Sequence, residues 1–204
     1  MIKLQARELA KSFGFRKVFD GISFSLSVGQ SLAVVGPNGS GKTTLLGMIA
    51  GLYRPSRGKI EYSENERNLP TEKFQRQLAY IAPYITFYEA LSAAENLRFF
   101  TAVSGIRINN NDIAEALARV GLAGRGDDQV GAYSSGMKQR LMYALALLKE
   151  PAVWIIDEPS ANLDESGRET AFDIIKEAGA ESIVVVATNE KEEYSLGETI
   201  CRLG

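Results

Sequence analysis

Residues 31–51 read SLAVVGPNGSGKTTLLGMIAG, and this stretch decides the fold. Leu32–Val35 is apolar throughout, which is typical of a central strand that is covered on both faces. Glycines then interrupt the chain, and Leu45–Ala50 follows with apolar side chains in a helical pattern that Gly51 closes. The stretch therefore predicts a strand, a glycine-rich loop and a helix in immediate succession.

The loop between this strand and helix has the composition of a phosphate cradle. Glycines let successive backbone N–H groups turn toward an anion, and a helix that begins near Lys42 adds the positive end of its dipole. Lys42 offers a positive charge to the β- and γ-phosphates, and the Thr43 hydroxyl is a ligand for Mg²⁺. A plain glycine turn would not explain Gly-Lys-Thr at the junction of strand and helix. We predict that nucleotide is bound by Gly36, Pro37, Asn38, Gly39, Ser40, Gly41, Lys42, Thr43 and Thr44.

Further apolar runs extend the predicted sheet. Val153–Ile156 and Ile183–Val186 are short, β-rich and without alternation, as in buried parallel strands, although a buried helix segment has a similar composition. Ile22–Val28 alternates apolar residues with serines and predicts a strand with one buried face. The pattern favours an α/β domain with a mostly parallel central sheet.

Helical patterns cluster between these strands. Ala93–Val103 and Ser135–Lys149 have apolar residues at helical spacing, and Pro151 stops the second of them from continuing. A third pattern contains Ile113 and Leu117, and Asn111-Asp112 is its predicted cap. Residues 86–150 are therefore expected to form a mostly helical insertion.

Two acids follow the buried run 153–156. Asp157 at the end of such a strand is suited to hold the water shell of a metal ion, and Glu158 beside it is suited to orient or deprotonate an attacking water molecule. Acids in this position often only cap helices, but the phosphate cradle elsewhere in the chain favours the catalytic interpretation.

Composition excludes several other functions. The 204 residues are 45% hydrophobic and 24% charged, with a formal charge of −2 and no concentrated basic patch of the kind that nucleic-acid binding requires. One cysteine, Cys201, rules out an internal disulfide and is expected to be a small buried residue of the last strand. The first 13 residues lack an apolar core, so we expect no signal peptide, and no run approaches the ~20 apolar residues of a membrane span.

Two further motifs identify a family resemblance. Residues 133–140, YSSGMKQR, resemble the signature of ABC ATPases, and residues 160–164, SANLD, resemble the D-loop that follows their Walker B strand. The resemblance extends over essentially the whole chain. It implies a P-loop NTPase fold with an N-terminal antiparallel β subdomain and an inserted helical subdomain. Residues 1–204 would be a single ABC ATPase domain, with residues 1–85 and 151–204 as the nucleotide-binding core and 86–150 as the helical part.

The resemblance also implies how the chain works. ATP with Mg²⁺ would be held between the phosphate-binding loop of one copy and Ser134 and Gly136 of a second copy or a homologous cassette, in a head-to-tail dimer. Hydrolysis would open the dimer and drive separate transmembrane permease subunits, which places the chain in the cytoplasm on the inner face of the cell membrane. Phe13 would stack on the adenine, with Phe15 as a neighbouring candidate, and Asp164 would contact the site from the D-loop. Within transporters, the chain resembles the haem-exporter ATPase of cytochrome c maturation.

Three departures from the family pattern affect the expected mechanism. Asn189 occupies the place of the switch histidine, and the chain contains no histidine. Asn189 can donate a neutral hydrogen bond to the γ-phosphate but cannot carry a proton. Tyr84 stands where a glutamine normally approaches Mg²⁺ and the attacking water. Ser135 and Met137 replace a glycine and a glutamine of the signature. We expect nucleotide binding with slowed turnover.

Two other functions compete with a transport ATPase. The missing histidine and the altered position 84 favour a nucleotide-gated binding module that hydrolyses little ATP. A soluble ABC protein acting on DNA or ribosomes is the other alternative. DNA-repair members of the family carry long insertions between the Walker motifs, and ribosomal members join two cassettes, whereas this chain has neither feature. We therefore expect no nucleic-acid partner.

Overall fold

The computed structural model describes all 204 residues, which divide into two compact units. The first unit contains residues 1–80, 152–158 and 176–204, and the second contains residues 81–151 and 159–175. The predicted helical segment, residues 86–150, lies within the second unit. No helix combines the length and the apolar character that crossing a bilayer would require.

The strands form two sheets. One is antiparallel with the order β2-β1-β4-β5, and the other has the order β6-β7-β8-β3-β9, in which β3 pairs in parallel with β8 and β9, and β7 with β8. The predicted fold class, α/β with a parallel central sheet and an antiparallel N-terminal sheet, is confirmed. The strands are β1 Ile2–Phe13, β2 Arg16–Ser27, β3 Ser31–Val35, β4 Arg57–Glu64, β5 Arg67–Asn68, β6 Leu78–Ile81, β7 Val153–Asp157, β8 Ile183–Thr188 and β9 Thr199–Arg202.

Burial follows the predicted periodicities. All residues of β7 and β8 are buried, as expected for strands covered on both faces. In β2 the serines at 23 and 25 are exposed while Leu26 is buried. A hydrophobic cluster joins both sheets to the first helix and includes Leu4, Leu32 and Leu46. Cys201 lies in β9 and is half-buried.

Six α-helices complete the chain, and α5 packs against α3 and α4 in the second unit. The predicted bounds Ala93–Val103 and Ser135–Lys149 are confirmed. The helices are α1 Lys42–Ile49, α2 Thr71–Gln75, α3 Ala93–Val103, α4 Asn110–Arg119, α5 Ser135–Lys149 and α6 Glu165–Glu181.

The predicted cap of α4 is wrong by two residues. Asn109, not Asn111-Asp112, is the N-cap, and its side-chain oxygen accepts hydrogen bonds from the N–H groups of Asn111 and Asp112 at 2.7 and 3.1 Å. The Asp112 carboxylate in turn accepts from the Asn109 N–H at 2.7 Å, which completes a capping box. Because residues 109–112 are all Asn or Asp, their identities do not distinguish one cap position from another.

Candidate functional site

A cleft of about 580 Å³ lies in the first unit, where the loop after β3 meets the end of β7 and the β1–β2 hairpin. The loop contributes backbone and polar groups, β7 contributes two acids, and the hairpin contributes an aromatic ring and two basic side chains. The cleft is lined by Phe13, Arg16, Lys17, Val18, Asn38, Gly39, Gly41, Lys42, Thr43, Thr44, Asp157 and Glu158.

The loop before α1 depends on glycine at its last position. Gly41 has φ +100°, and a Cβ there would lie 2.4 Å from Cγ1 of Val18, so neither the conformation nor the space admits a side chain. Gly41 is also the N-cap of α1, whose first N–H groups lack partners within the helix. This geometry leaves N–H donors and the positive end of the helix dipole available to an anion.

Lys42 is held inside this loop. Lys42 is only 6% exposed, and its Nζ donates hydrogen bonds to the carbonyl oxygens of Gly36 and Pro37 at 2.8 and 3.2 Å. The two neutral carbonyl oxygens hold the ammonium group out of bulk water, where electrostatic attraction to a nearby anion is screened less than in solvent. The loop thus positions a cation before any phosphate arrives.

The two predicted metal ligands are in direct contact. Thr43 Oγ1 donates a hydrogen bond of 2.5 Å to Oδ2 of Asp157, although the residues are 114 positions apart in the chain. A hydroxyl and a carboxylate are hard oxygen ligands of the kind that Mg²⁺ prefers, so these residues fit the ion. No cluster of three or more His, Cys, Asp or Glu side chains exists that could hold a metal. Mg²⁺ usually binds through one or two protein oxygens together with phosphate and water, and the pair of Thr43 and Asp157 fits that pattern.

Burial changes the acidity of Asp157. The residue is 3% exposed, and desolvation raises the pKa of its carboxyl group. The hydrogen bond from Thr43 opposes that rise. The charge of Glu158 raises the pKa further, and the charge of Lys42 lowers it. A folded-state pKa above the unfolded value means that the folded protein binds the extra proton. The free energy of unfolding then falls as the pH rises from the ordinary carboxyl pKa to the raised one, and it stays lower at every pH above the raised pKa.

Removal of the buried charge of Asp157 is expected to stabilise the nucleotide-free protein. We expect Asp157→Asn to raise the free energy of unfolding of the nucleotide-free protein by about 1 kcal/mol near pH 8, because an amide can accept the Thr43 hydrogen bond without a charge. The gain should shrink at a lower pH, at which more of the wild-type carboxyl group is protonated because burial raises its pKa. Thermal unfolding at both pH values measures it, with Asp173→Asn on the exposed face of α6 as the control. A less stable Asp157→Asn protein near pH 8 contradicts this prediction.

Glu158 lines the same cleft from an unusual backbone conformation. Its φ is +53°, in the left-handed region that costs a non-glycine residue energy, and its N–H donates to the carbonyl of Ala187 at 2.9 Å. The sheet hydrogen bond thus fixes the turn that follows Asp157. The carboxylate of Glu158 is exposed to the cleft, where it is available to a water molecule.

Sheet register brings Asn189 to the same edge as these groups. Asp157 pairs with Ala187, and Val35 pairs with Thr188, so Asn189 leaves the sheet beside the start of the phosphate-binding loop. The turn is anchored underneath, because the buried Thr188 hydroxyl donates to the buried carboxylate of Glu193 and accepts from the N–H of Glu190. Asn189 itself is exposed.

The hairpin wall of the cleft contains Phe13, whose ring is 53% exposed. The ammonium of Lys11 lies 4.8 Å from the ring centroid and donates to the carbonyl of Arg54 at 2.7 Å. Phe15 is fully exposed at the hairpin tip and does not line the cleft. Sequence reasoning missed the basic side chains Arg16 and Lys17, because they form no motif and only the hairpin turn brings them beside Phe13.

The remaining predicted residues lie in the second unit. Ser134 caps α5 and accepts a hydrogen bond from the Met137 N–H at 3.2 Å, and Gly136 follows in the first turn. Asp164 accepts from the Gly167 N–H at 2.9 Å and pairs with Arg140. Tyr84 lies after β6 and is 56% exposed. The roles of these residues toward nucleotide stay predictions.

Comparison with known proteins shows the family of the chain. Residues 19–161 match the family model described as ABC transporter. The linearmycin resistance ATP-binding protein LnrL of Bacillus subtilis is 33% identical over 93% of this chain, which spans 62% of that protein. The cytochrome c biogenesis ATP-binding export protein CcmA of Vibrio cholerae is 31% identical, with 94% of this chain and 93% of that protein aligned.

A solved structure has the same fold. The dimeric ATP-binding cassette MJ0796, bound to ADP and phosphate in a post-hydrolysis state, aligns over 100% of this chain and 94% of its own with a TM-score of 0.84. At 23% identity the likeness concerns the fold alone. The family match and the two relatives lead to one assignment: the chain belongs to the ABC transporter family.

Proposed function

We propose that this chain is the ATP-hydrolysing subunit of an ABC transporter and that it binds ATP with Mg²⁺ in the cleft of the first unit. The observation that carries the proposal is the 2.5 Å hydrogen bond between Thr43 and Asp157 beside the buried ammonium of Lys42. Two hard oxygen ligands and a cation at the start of a helix suit a metal-bound triphosphate.

Each predicted site residue has a distinct part in the proposed reaction. Backbone N–H groups of the loop and Lys42 hold the phosphates, and Thr43 and Asp157 would hold Mg²⁺, which when bound neutralises charge on the phosphate oxygens. Glu158 accepts a proton from the attacking water at its carboxylate. The Asn189 amide donates a neutral hydrogen bond to the γ-phosphate, and Tyr84 offers a phenolic oxygen in place of a glutamine amide.

The chain is proposed to act as a head-to-tail dimer. The N-terminal end of α5 has free N–H groups beside Ser134 and Gly136 and would cap a nucleotide that is bound in the first unit of a second copy or of a homologous cassette. Hydrolysis would then release the two copies and move the attached membrane subunits. MJ0796, which has this fold, is dimeric with ADP and phosphate.

Phosphate release tests the proposed activity. We expect the purified chain, alone or with its membrane subunits, to hydrolyse ATP only while Mg²⁺ is present. Chelation should abolish the activity, because the neutral Thr43 hydroxyl and the anionic Asp157 carboxylate offer the triphosphate no positive charge in place of the ion. The measurement is the release of inorganic phosphate at saturating ATP. Hydrolysis that persists unchanged after chelation would rule out the proposed metal site, and no hydrolysis in either preparation would rule out the proposed activity.

A second candidate is a nucleotide-gated binding module with little hydrolysis, and the exposed Asn189 at the site of the usual histidine favours it. We expect Asn189→His to raise the hydrolysis rate by up to about tenfold, because a charged hydrogen bond to the γ-phosphate is roughly twice as strong as a neutral one. Phosphate release measures the gain. ATP-dependent dimerisation with no turnover in either protein supports the binding module instead.

An exposed apolar surface of the second unit is the proposed docking site for the membrane subunit. This aromatic surface consists of Tyr88, Phe99 and Val103, which are 53%, 43% and 72% exposed. The Tyr88 and Phe99 rings meet edge to face with centroids 5.2 Å apart. The side chain of buried Asn96 accepts a hydrogen bond from the Tyr88 backbone N–H and donates one to the Tyr88 carbonyl oxygen. Grouped exposed apolar side chains mark interaction sites, and a partner would hold the chain at the inner face of the membrane.

Membrane co-purification tests the docking site. We expect Phe99→Ser to weaken binding to the membrane subunit by about 30-fold and so to lower the amount of chain that co-purifies with it, since an aromatic anchor at an interface contributes about 2 kcal/mol or more. Phe15→Ser, a fully exposed phenylalanine in the first unit, serves as the matched control. Equal recovery of both variants contradicts the assignment of this surface.

A further inference from the structure

One face of α5 runs along the loop of residues 159–164, which directly follows Glu158 in the chain. The face consists of Gly136, Arg140 and Tyr143, whose spacing of four and three residues places them on one side of a helix. A Cβ on Gly136 would lie 2.6 Å from the carbonyl oxygen of Asn162, so the loop backbone touches the helix there. The buried Tyr143 hydroxyl donates to the carbonyl of Pro159 at 2.8 Å.

Arg140 stands at the centre of this face. Its guanidinium group, on a side chain 18% exposed, pairs with Oδ1 of Asp164. The group lies between two glycines: a Cβ at Gly121 would be 2.6 Å from Nη1, and a Cβ at Gly167 would be 2.8 Å from Nη2. Arg140 therefore touches the turn after α4 and the start of α6 as well as the loop, and a side chain at either glycine would collide with its guanidinium group.

The loop has a shape that matches these contacts. Asn162 has φ +63°, a left-handed conformation that aims its carbonyl toward Gly136. The Asp164 carboxylate also caps α6 through the Gly167 N–H at 2.9 Å. Hydrogen bonds from that N–H and from Arg140 lower the pKa of Asp164, so the carboxylate is charged when it pairs.

We propose that Arg140 is a positioning residue for the shared nucleotide site: through Asp164 it holds the 159–164 loop against α5 and so fixes the end of α5 that carries Ser134 and Gly136. The inference rests on the proposed dimer, in which that end caps the nucleotide of the other copy. Arg140 does not touch the nucleotide. Its loss would weaken the closure of two copies around ATP, while each copy would bind ATP in its own cleft as before.

A purely structural role of Arg140 would have a different measurable effect. If Arg140 only stabilises the second unit, its replacement lowers the melting temperature and leaves the dimerisation of folded protein unchanged. A positioning role changes the protein concentration at which ATP brings two folded copies together. Dimerisation and ATP binding by the monomer therefore have to be measured on the same folded material.

The experiment uses the full chain with Glu158→Gln, which is expected to retain ATP. Light scattering during ATP titration gives the dimerisation constant, and a fluorescent ATP analogue at low protein concentration gives the affinity of the monomer. We expect Arg140→Met to weaken dimerisation by about tenfold or more and to change the monomer affinity by less than about twofold. Arg98→Met removes an exposed arginine that bonds Asn110 and should leave both values unchanged.

Asp164→Asn supplies a second variant that leaves the fold intact. The side chain is 71% exposed, and an amide oxygen can still accept from the Gly167 N–H, so mainly the ionic pair with Arg140 is lost. We expect weaker dimerisation again, and a double variant with Arg140→Met should be no weaker than Arg140→Met alone. Multiplying effects in the double variant, or unchanged dimerisation in both single variants, overturns the proposal. If the Glu158→Gln parent never dimerises with ATP, the proposed function fails instead.

Discussion

Replacement of Glu158 by glutamine is expected to lower the rate of ATP hydrolysis by at least about 100-fold while ATP binding is retained. Glutamine has the size and shape of glutamate but cannot accept a proton from the attacking water. The backbone sets where the side chain points, because the φ of +53° and the N–H bond to Ala187 are independent of the side-chain charge. The change therefore removes the base and keeps its position.

Single-turnover phosphate release, together with the affinity for ATP, measures the effect of Glu158→Gln. Glu150→Gln is a matched control, because Glu150 is also an exposed glutamate with a left-handed backbone, φ +44°, but ends α5 outside the cleft. We expect its rate to equal that of the wild type. Equal hydrolysis by wild type and Glu158→Gln, also with the membrane subunits present, means that Glu158 is not the base.

Lys42→Met is expected to weaken ATP binding by about 10- to 100-fold, since hydrogen bonds to a charged group contribute roughly 1.5–3 kcal/mol. Methionine keeps the length of the side chain but carries no charge or donor. The carbonyls of Gly36 and Pro37 would lose their partner as well, so we expect the free energy of unfolding to fall by about 1–3 kcal/mol.

Calorimetric ATP titration and thermal unfolding separate these two effects of Lys42→Met. Lys17→Met is the control within the same cleft, because Lys17 is 65% exposed and already pairs with Asp20 at 3.1 Å. We expect it to change ATP affinity by less than about threefold, as surface ion pairs contribute little. If Lys17→Met weakens binding as much as Lys42→Met, general positive charge rather than the buried ammonium attracts the nucleotide.

Much of the fold was predictable because its signals are local. The apolar runs at 153–156 and 183–186 are short, β-rich and without polar residues, which favours strands covered on both faces, and both are buried parallel strands. The bounds of α3 and α5 followed from helical spacing and from Pro151. The cap of α4 was misplaced because four consecutive residues can all act as caps, and the backbone conformation decides which of them is the N-cap.

The site was predictable where its residues are consecutive. The loop at 36–44 requires glycines, a lysine and a threonine in a fixed order, and the structure places Lys42 and Thr43 at the start of α1 in the cleft with Asp157 and Glu158. Arg16 and Lys17 could not be assigned to the cleft from the sequence, because a hairpin brings them there without any motif. The left-handed conformation of Glu158 could not be predicted from the sequence either, because glutamate does not favour that conformation.

The sequence by itself determined the phosphate-binding loop, the strands and helices around it and the family, because consecutive residues set backbone geometry and local charge. Only the tertiary structure decided that Thr43 meets Asp157 and that the 159–164 loop lies along α5 with Arg140 between two glycines. These contacts join residues far apart in the chain, and their distances depend on how whole strands and helices pack.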